Sequence, residues 1–266
     1  LDDGNIHLQI KDVSLKHIHT EVLVGGILKS KKGISLPDTR INLPSLTPKD
    51  LVDLQIALKL EVEFVALSFV QHPDDLDQIK KIINGKSRLI AKIEKPSALN
   101  HLEKIIEKSD VVMVARGDLG VELPPEVVPV EQRRIIREAI GQGKPVIIAT
   151  QMLESMCNNP LPTRAETSDI ANAVYGLADT LMLSGETAMG KYPTESVSMM
   201  HKIISRVEKE SPWIKRGDRE SQIGKASIAD AVTLAAHEIA EKINAACIVT
   251  HTQSGSTTLR ASRQRR

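Results

Sequence analysis

Aromatic residues are scarce in this chain of 266 residues, and neither sign of charge dominates it. Aromatics make up 2% of the sequence and are scattered along it, so they provide no surface on which nucleic-acid bases could stack. A formal net charge of +1 gives no broad basic surface for a phosphate backbone. The sequence therefore predicts a protein that does not bind nucleic acid.

Long hydrophobic runs and paired cysteines are also missing. No run approaches the roughly twenty apolar residues that a membrane-spanning helix needs, although a hydrophobic share of 41% is enough for a sizeable core. Cys157 and Cys247 have no pairing framework around them, which is typical of a reducing compartment. We expect a cytoplasmic protein that does not contact a membrane and whose two cysteines are ordinary thiols.

The first part of the chain is predicted to be β-rich and to give way to a helix. Alternation in residues 6–10 and the apolar residues 22–24, which run into two glycines, indicate hairpins within residues 1–35. Residues 47–50 read Thr-Pro-Lys-Asp, which combines an N-cap, a first-turn proline and an acidic third position. This combination predicts a helix that begins there.

Five short apolar runs follow, each with a helical segment after it. They are residues 64–67, 89–91, 111–114, 146–149 and 181–183. Continuous runs of this length are typical of strands that are buried on both faces, and hence of a parallel sheet wrapped by helices. The predicted fold class is therefore α/β, either a (β/α)8 barrel or an open doubly wound sheet.

Polar residues at the ends of these runs favour the barrel. They are Ser68, the pair Lys92 and Glu94, residues 116–118, residues 150–151 and residues 184–186. Successive strands that all end at one polar rim are what a barrel active site requires, whereas an open sheet concentrates its chemistry at one crossover. We expect a partial barrel of about five βα units, about three strands short of a complete one.

The rest of the chain predicts a linker and a separate unit. Residues 209–225 are polar and nonperiodic, a helix with an apolar face covers about 228–239, and residues 246–249 read as a strand. The predicted domains are therefore a β-rich part at 1–35, a partial barrel at 36–210, and a linker with the start of an α/β domain at 211–266.

Lys92 and Glu94 lie two positions apart on a predicted strand and therefore share one face. An ammonium and a carboxylate in an apolar neighbourhood are costly unless they are paired or used. One interpretation is a structural ion pair inside the barrel. The other is a functional site, with a cation beside a metal-binding carboxylate.

Asp118 favours the functional interpretation. It stands between Gly117 and Gly120, just after a predicted buried strand, where backbone N–H groups can meet an anion and the carboxylate a cation. A glycine-flanked Asp can also be a simple turn former. Two carboxylates at successive strand ends, with a lysine nearby, fit Mg²⁺ and an oxyanion substrate.

Thr150 and Ser184 end the next two predicted strands and offer hydroxyl groups. These could hydrogen-bond a substrate or relay a proton through water, or they could cap the helices that follow. Acyl transfer by a serine nucleophile is not expected. His72, which is the only histidine close after a core strand, is predicted to be a loop residue that leads into a helix.

Six motifs, taken in order, resemble the pyruvate kinase family. They are residues 31–37 (KKGISLP), 92–94 (KIE), 114–120 (VARGDLG), 149–155 (ATQMLES), 162–166 (PTRAE) and 183–188 (LSGETA). The resemblance covers nearly the whole chain. It implies a fragment that begins inside the family's mobile lid domain, continues through the second half of the barrel, and ends early in an effector-binding C-terminal domain.

The resemblance implies a role in phosphoryl transfer for three residues. Glu94 and Asp118 match the family's divalent-metal ligands, and Lys92 matches the lysine that stabilises the phosphoryl group during transfer. These roles agree with what the residues suggest by themselves, since phosphoryl transfer depends on positioning and charge neutralisation more than on covalent catalysis.

The resemblance also implies how the substrate is held and protonated. The backbone of Arg116, Gly117 and Asp118 would bind the carboxylate of phosphoenolpyruvate. Thr150 would lie near the carbon that gains a proton, and Ser184 near a water relay.

The implied reaction converts phosphoenolpyruvate and ADP into pyruvate and ATP in glycolysis. It implies Mg²⁺ or Mn²⁺ as the divalent ion, K⁺ as a further candidate ion, and a cytoplasmic homotetramer for the complete protein. The resemblance also extends to a loop that would bind a phosphorylated allosteric effector, formed by Thr252, Ser254, Gly255, Ser256 and Thr257. Loops of this composition are more often plain turns.

Two other functions stay open at this point. A metal-dependent aldolase-type barrel that handles enolpyruvate would use a similar Glu/Asp pair but would need neither lid hairpins nor ADP. An inactive structural fragment or interaction module is the other alternative. The isolated chain is expected to be inactive, because the resemblance does not include the family's N-terminal barrel strands. Those strands carry an arginine and the monovalent-cation ligands.

Overall fold

The computed structural model describes residues 1–2, 4–30, 32–36, 46–210 and 227–262. Strands β1 (His7–Val13) and β2 (Ile18–Val24) form an antiparallel hairpin near the start, and every residue of both strands is exposed. The prediction of a β-rich first part is confirmed. The linker predicted at 209–225 lies outside the described residues from 211 onward.

Helices and strands then alternate along the chain. They are α1 (Pro48–Lys59), β3 (Phe64–Leu67), α2 (Pro73–Ile83), β4 (Arg88–Ile93), α3 (Pro96–Leu99), α4 (Leu102–Lys108), β5 (Val111–Ala115), α5 (Arg116–Glu122), α6 (Val128–Gly141), β6 (Val146–Ala149), a 3-10 helix (Glu154–Cys157), α7 (Arg164–Tyr175), β7 (Thr180–Met182), α8 (Gly185–Ala188) and α9 (Pro193–Glu210).

Helix starts follow the capping signals of the sequence. Helix α1 begins after Thr47, whose side chain accepts from the backbone N–H of Asp50 while the Asp50 carboxylate accepts from Thr47. The same reciprocal box joins Thr163 and Glu166 at α7. The start predicted at residues 47–50 is confirmed, and each box satisfies backbone donors that the first helical turn leaves without a partner.

The sheet is parallel and its order is β3-β4-β5-β6-β7. An open doubly wound sheet would reverse its strand order at a switch point, whereas neighbours that follow chain order are what a barrel requires. Acidic residues fix this register, since Asp110 accepts from the N–H of Leu89 and Asp179 from that of Val146, both at 2.8 Å. The partial barrel predicted from the strand ends is confirmed.

Burial on both faces holds for the central strand of the sheet and fails at its edges. All five residues of β5 are buried, whereas Phe64 and Ala66 of β3 and Thr180 of β7 are exposed. The edge strands have one neighbour each in the described sheet, so one side of each lacks cover. The prediction of strands buried on both faces is wrong for β3 and β7.

The prediction of one helix after each strand was too simple. Short helices α3, α5 and α8 precede the longer α4, α6 and α9. Pro124 and Pro125 lie between α5 and α6, and Pro193 opens α9. Proline is unfavourable inside a helix and acceptable at its start, so the segments after β5 and β7 divide at these prolines.

One prediction for the last part of the chain is confirmed and another is wrong. The predicted helix is α10 (Ile228–Lys242), although Val232 and Ile239 of its apolar face are exposed while Thr233 is buried. Residues 246–249 form no strand, because no described segment pairs with them. Helix α11 (Ser256–Ser262) follows. Within the described ranges, no helix combines the length and apolarity needed to span a membrane.

Candidate active site

Strand β4 carries the first candidate side chain, Lys92. Leu89, Ala91 and Ile93 are buried, whereas Ile90 and Lys92 on the alternate face are only partly so. Lys92 therefore sits on the more open face of the strand, where its side chain keeps 24% of its surface exposed. Its ammonium donates to Ser68 Oγ at the end of β3, at 2.9 Å.

Glu94 follows β4 and is almost fully buried, with 1% of its surface exposed. Its Oε1 lies 2.6 Å from Lys92 Nζ, and its Oε2 accepts from the backbone N–H of Phe69 at 2.6 Å. Oε1 is buried, and apart from the Lys92 ammonium no described residue donates a hydrogen bond to it. The predicted ion pair is thus present, but pairing alone leaves hydrogen-bonding capacity of a buried carboxylate unused.

Phe69 holds this carboxylate from a strained backbone position. Its φ is 54°, in the left-handed region that is uncommon for residues other than glycine. Its ring is half-exposed, and Lys95 Nζ lies 5.7 Å from the ring centre. Strained positions of this kind cluster at functional sites, and the sequence contained no signal for this one.

Asp118 lies in the first turn of α5 and is exposed. The chain enters this helix directly from β5, so the interpretation of Asp118 as a turn former is wrong. Ile93 pairs with Val114. Glu94 and Asp118 therefore follow neighbouring strands at their carboxyl ends, on the same rim of the sheet.

The donor set at this edge fits a hard divalent cation. Carboxylate oxygens are the ligands that Mg²⁺ prefers, and it takes one or two of them while keeping other positions for water and substrate oxygens. The buried Oε1 of Glu94 offers such an oxygen beside a cationic neighbour. No group of three or more His, Cys, Asp or Glu side chains suited to a metal occurs in the described part of the chain.

Thr150 follows β6 with φ 69°. Its Oγ1 accepts from the backbone N–H of Gly117 at 2.7 Å and donates to the carbonyl of Ala149 at 2.6 Å. The approach to Gly117 is so close that a Cβ there would lie 3.2 Å from Thr150 Oγ1, which explains the glycine. Thr150 does not cap the helix that follows it, because its hydroxyl instead accepts from the first turn of α5 and so joins that helix to the end of β6.

Arg116 is buried, and its guanidinium binds the segment after β6. Nε and Nη2 donate to the carbonyl of Thr150 at 3.2 and 2.8 Å, and Nη2 also donates to that of Gln151 at 2.9 Å. Nη1 pairs with Asp169 Oδ2 of α7 at 2.5 Å. The sequence suggested only a backbone role for Arg116, and Asp169 carried no signal at all, since it reads as an ordinary helix residue.

Ser184 and Glu186 form the corner after β7. Ser184 precedes α8 without capping it through its side chain, and its Oγ is buried with no hydrogen-bond partner among the described residues. Glu186 is fully buried and accepts from the backbone N–H groups of Leu153 and Ser184, at 2.9 and 2.8 Å. The cap alternative is thus wrong for Ser184 too. Glu186 was predicted only as one of the polar residues at this strand end and was given no role of its own.

A cleft of about 320 Å³ opens beside part of this site. Its lining residues are Arg116, Gly117, Gly120, Val121, Pro125, Val128, Pro129, Gln151 and Asp169. Lys92 and Glu94 are not among them, so the cleft borders the β5 and β6 ends of the rim and does not define the whole site.

Burial, charge and hydrogen bonding shift three pKa values around the segment after β6. Burial raises the pKa of Glu154, and the charges of Glu186 and Glu166 raise it further. Burial and the same acidic surroundings raise the pKa of the Cys157 thiol, as expected for an ordinary thiol. Burial also acts to raise the pKa of Glu166, but hydrogen bonds from Ser155 and Thr163 outweigh it and lower that pKa.

The predicted effector loop is a turn that leads into α11. Gly255 has φ 80° and its N–H donates to Thr252 Oγ1 at 3.1 Å, while Ser254 Oγ donates to Ser256 Oγ at 3.1 Å. Thr257 lies in the first turn of the helix. These bonds close the loop on itself, and its role in binding an effector stays a prediction.

Comparison with known proteins places the chain in a family. The family model described as "Pyruvate kinase, barrel domain" matches residues 1–197. The chain is 46% identical over 265 residues to a pyruvate kinase of Methylorubrum extorquens, a match that covers 100% of this chain and 55% of that protein. It is also 46% identical over 270 residues to pyruvate kinase 2 of Synechocystis sp., covering 100% of this chain and 45% of that one.

A solved structure shares the fold as well. A crystal structure of a pyruvate kinase from Cryptosporidium parvum matches with a TM-score of 0.91 at 36% identity, over 99% of this chain and 56% of that one. The chain therefore spans about half the length of the curated relatives it matches.

Proposed function

Because this chain belongs to the pyruvate kinase family, we propose that it carries a phosphoryl-transfer site for the conversion of phosphoenolpyruvate and ADP into pyruvate and ATP in glycolysis. The observation that carries this proposal is the pair Lys92 and Glu94, in which a buried carboxylate oxygen lies 2.6 Å from an ammonium and accepts no further hydrogen bond from the described residues.

Charge neutralisation at the end of β4 is the task of Lys92. The phosphoryl group in flight is anionic on its outer oxygens, so a fixed ammonium lowers the barrier without forming a covalent bond. Ser68 Oγ accepts one hydrogen bond from this ammonium, which orients it. A divalent ion, Mg²⁺ or Mn²⁺, would be held by Glu94 and Asp118 and would supply further positive charge to the substrate oxygens.

The carboxylate of the substrate is assigned to the backbone of Arg116, Gly117 and Asp118. The N–H groups of a first helical turn have no partner within the helix, and that of Gly117 donates to Thr150 Oγ1 in this structure. A bound carboxylate would accept hydrogen bonds in the same place and thus bring the reacting carbon close to Thr150.

Protonation of the enolate is assigned to the β6 and β7 ends. The Thr150 hydroxyl would lie near the carbon that gains the proton. The buried Ser184 Oγ, which has no partner among the described residues, has hydrogen-bonding capacity for a relaying water.

Family membership alone supports the remaining parts of the proposal. These are a cytoplasmic homotetramer for the complete protein, K⁺ as an additional ion, a phosphorylated effector at Thr252 to Thr257, and division into lid, barrel and C-terminal domains near residues 35 and 210. A low affinity for nucleic acid and membranes is expected from the composition.

The test is to purify the full-length protein and measure pyruvate formed from phosphoenolpyruvate with Mg²⁺, with and without ADP. We expect one ATP per pyruvate and no turnover without ADP. Carbon–carbon bond cleavage or formation that needs no ADP would support the aldolase alternative. A folded protein inactive in both assays would support a structural or interaction role.

Residues 1–266 by themselves are expected to be inactive and aggregated or only partly ordered. Strands β3 and β7 each have one neighbour in the described sheet, and unpaired edges recruit other chains. The measurement is the monodispersity of this piece together with its ADP-dependent pyruvate formation. A monodisperse and active preparation would contradict the expectation.

A further inference from the structure

The turn after β6, defined as residues 150–153 and called the β6 turn, is held in an unfavourable backbone conformation. Thr150 has φ 69° and Gln151 has φ 54°. The left-handed region is disfavoured for both, and most strongly for a β-branched residue such as Thr150. Two consecutive positions of this kind persist only when surrounding contacts impose them.

Arg116 contacts this turn from one side. Its guanidinium donates three hydrogen bonds to the carbonyls of Thr150 and Gln151. The remaining Nη1 pairs with Asp169 on α7, so the fork is held at its other end as well. Because the guanidinium is planar and its donors are fixed in direction, it can dictate where both carbonyls point.

Glu186 contacts the same turn from the other side. Its Oε1 accepts from the N–H of Leu153 at 2.9 Å, and its Oε2 accepts from that of Ser184 at 2.8 Å. The carboxylate is fully buried, and such a group can persist in an apolar corner when both oxygens are hydrogen-bonded. It ties the β6 turn to the corner after β7.

We propose that Arg116 and Glu186 are positioning residues that force the β6 turn into its left-handed conformation and thereby place the Thr150 hydroxyl for the reaction. Arg116 donates hydrogen bonds to carbonyls at the start of the turn, and Glu186 accepts one from the N–H at its end, so the turn is held at both ends. The catalytic part of this inference rests on the proposed function, whereas its conformational part does not.

The kinetic test uses Arg116→Lys, which keeps the positive charge and loses the fork. The control is Arg134→Lys, since Arg134 also pairs with an acid and donates to a backbone carbonyl, but on the exposed side of α6. We expect kcat to fall about 10- to 100-fold for Arg116→Lys, as for a misplaced catalytic group, with the KM for ADP unchanged. Asp169→Asn should give a smaller loss, because it leaves the three carbonyl bonds in place.

A second substitution separates positioning from a merely structural role. Glycine adopts positive φ without penalty, so Gln151→Gly removes part of the strain that Arg116 opposes. Gln151→Gly should therefore raise kcat more in the Arg116→Lys background than in the wild type. The two changes in kcat should differ by about fivefold, which corresponds to about 1 kcal/mol. Equal effects of Gln151→Gly in both backgrounds would overturn the proposal.

Amide hydrogen exchange tests the conformational part without any assay of activity. Arg116→Lys should speed exchange at Gly117, whose N–H donates to Thr150 Oγ1, and Glu186→Gln should speed it at Leu153. Arg134→Lys should change neither. Unchanged exchange in both site variants would refute the proposal that Arg116 and Glu186 hold the β6 turn, even in an active enzyme. If the wild type is inactive but the variants exchange faster, only the proposed function is refuted.

Discussion

The rim at the strand ends has two halves that hold their functional groups in different ways. At β3 and β4, Lys92 and Glu94 form a charge pair, and the paired carboxylate oxygen accepts no hydrogen bond from any other described residue. At β6 and β7, the Thr150 hydroxyl accepts one hydrogen bond and donates another, and the residue has a positive φ. We refer to them as the charge half and the hydroxyl half.

Under the proposed function, the two halves have different tasks, which are electrostatic stabilisation and proton transfer. Electrostatic stabilisation acts over distance and depends chiefly on which charges are present, so the charge half tolerates a simple geometry. Proton transfer requires donor and acceptor within hydrogen-bond reach, so the hydroxyl half is fixed by a buried arginine and a buried glutamate. Substitutions in the two halves should therefore affect phosphoryl transfer and proton transfer differently.

The largest effect is expected for Asp118→Asn in the full-length enzyme. Loss of one of two carboxylates removes charge and a preferred ligand from the divalent site, so turnover should be abolished while the fold stays intact. The measurement is kcat across a Mg²⁺ titration, together with a thermal melt. Asp53→Asn on the exposed face of α1, where Asp53 pairs with Lys49, is the control, and unchanged activity of Asp118→Asn at ordinary Mg²⁺ would rule out this ligand assignment.

Lys92→Met should come next, with kcat for phosphoryl transfer lowered by about 10²–10³-fold, the loss typical of one electrostatic contact. Exchange of the C3 protons of pyruvate should suffer less, because it involves no phosphoryl group. Lys49→Met, a substitution of an exposed lysine, serves as the control. If Lys92→Met reduces both activities equally, Lys92 serves enolate formation and the division between the two halves is wrong.

Thr150→Val should show the opposite preference. It keeps the β-branched shape and removes the hydroxyl, so C3 proton exchange should fall by about 10²-fold, at the lower end for general acid–base groups, and at least as much as phosphoryl transfer. Thr150→Ser keeps the hydroxyl and should retain most of the exchange activity. A Val variant that exchanges protons at the wild-type rate would remove Thr150 from the proton path.

The smallest effect concerns stability beside the hydroxyl half. The pKa of Glu166 is lowered below its ordinary 4.5 by hydrogen bonds that outweigh burial, so its contribution is present above pH 4.5 and is lost as the pH falls through the lowered pKa. Glu166→Gln should therefore reduce the free energy of unfolding by about 1 kcal/mol at pH 7, and by less near pH 3.

Glu154→Gln is the matched substitution of opposite sign. Burial raises the pKa of Glu154, so its favourable contribution is present below pH 4.5 and is lost as the pH rises through the raised pKa. The variant should be neutral or slightly more stable than the wild type at pH 7. Denaturant unfolding at pH 3 and pH 7 checks both variants, and a parallel response of the two would contradict the assigned causes.

The charge half was largely predictable from the sequence. Lys92 and Glu94 share a face because strand side chains alternate, and Asp118 follows the neighbouring strand, so local periodicity brought them to one edge. Even so, the sequence left open whether the pair was structural, because hydrogen bonding at Glu94 Oε2 depends on Phe69, which lies 25 positions earlier in the chain.

The hydroxyl half was predictable only in part. Thr150 and Ser184 stood out as hydroxyls at strand ends, but the left-handed φ values, the Arg116 fork and the buried Glu186 did not. Each depends on contacts between residues more than thirty positions apart, and neither periodicity nor motif spacing records such contacts.

Local signals in the sequence determined the capping boxes, the five strands, their parallel arrangement and the rim on which the candidate residues stand. The tertiary structure alone decided which strands lie at the edges of the sheet and that the apolar face of α10 is exposed. It also decided which residues, Arg116 and Glu186, bind the β6 turn. The physical reason is range: capping and side-chain alternation act within a few residues, whereas burial and backbone strain are set by segments that meet only when the chain has folded.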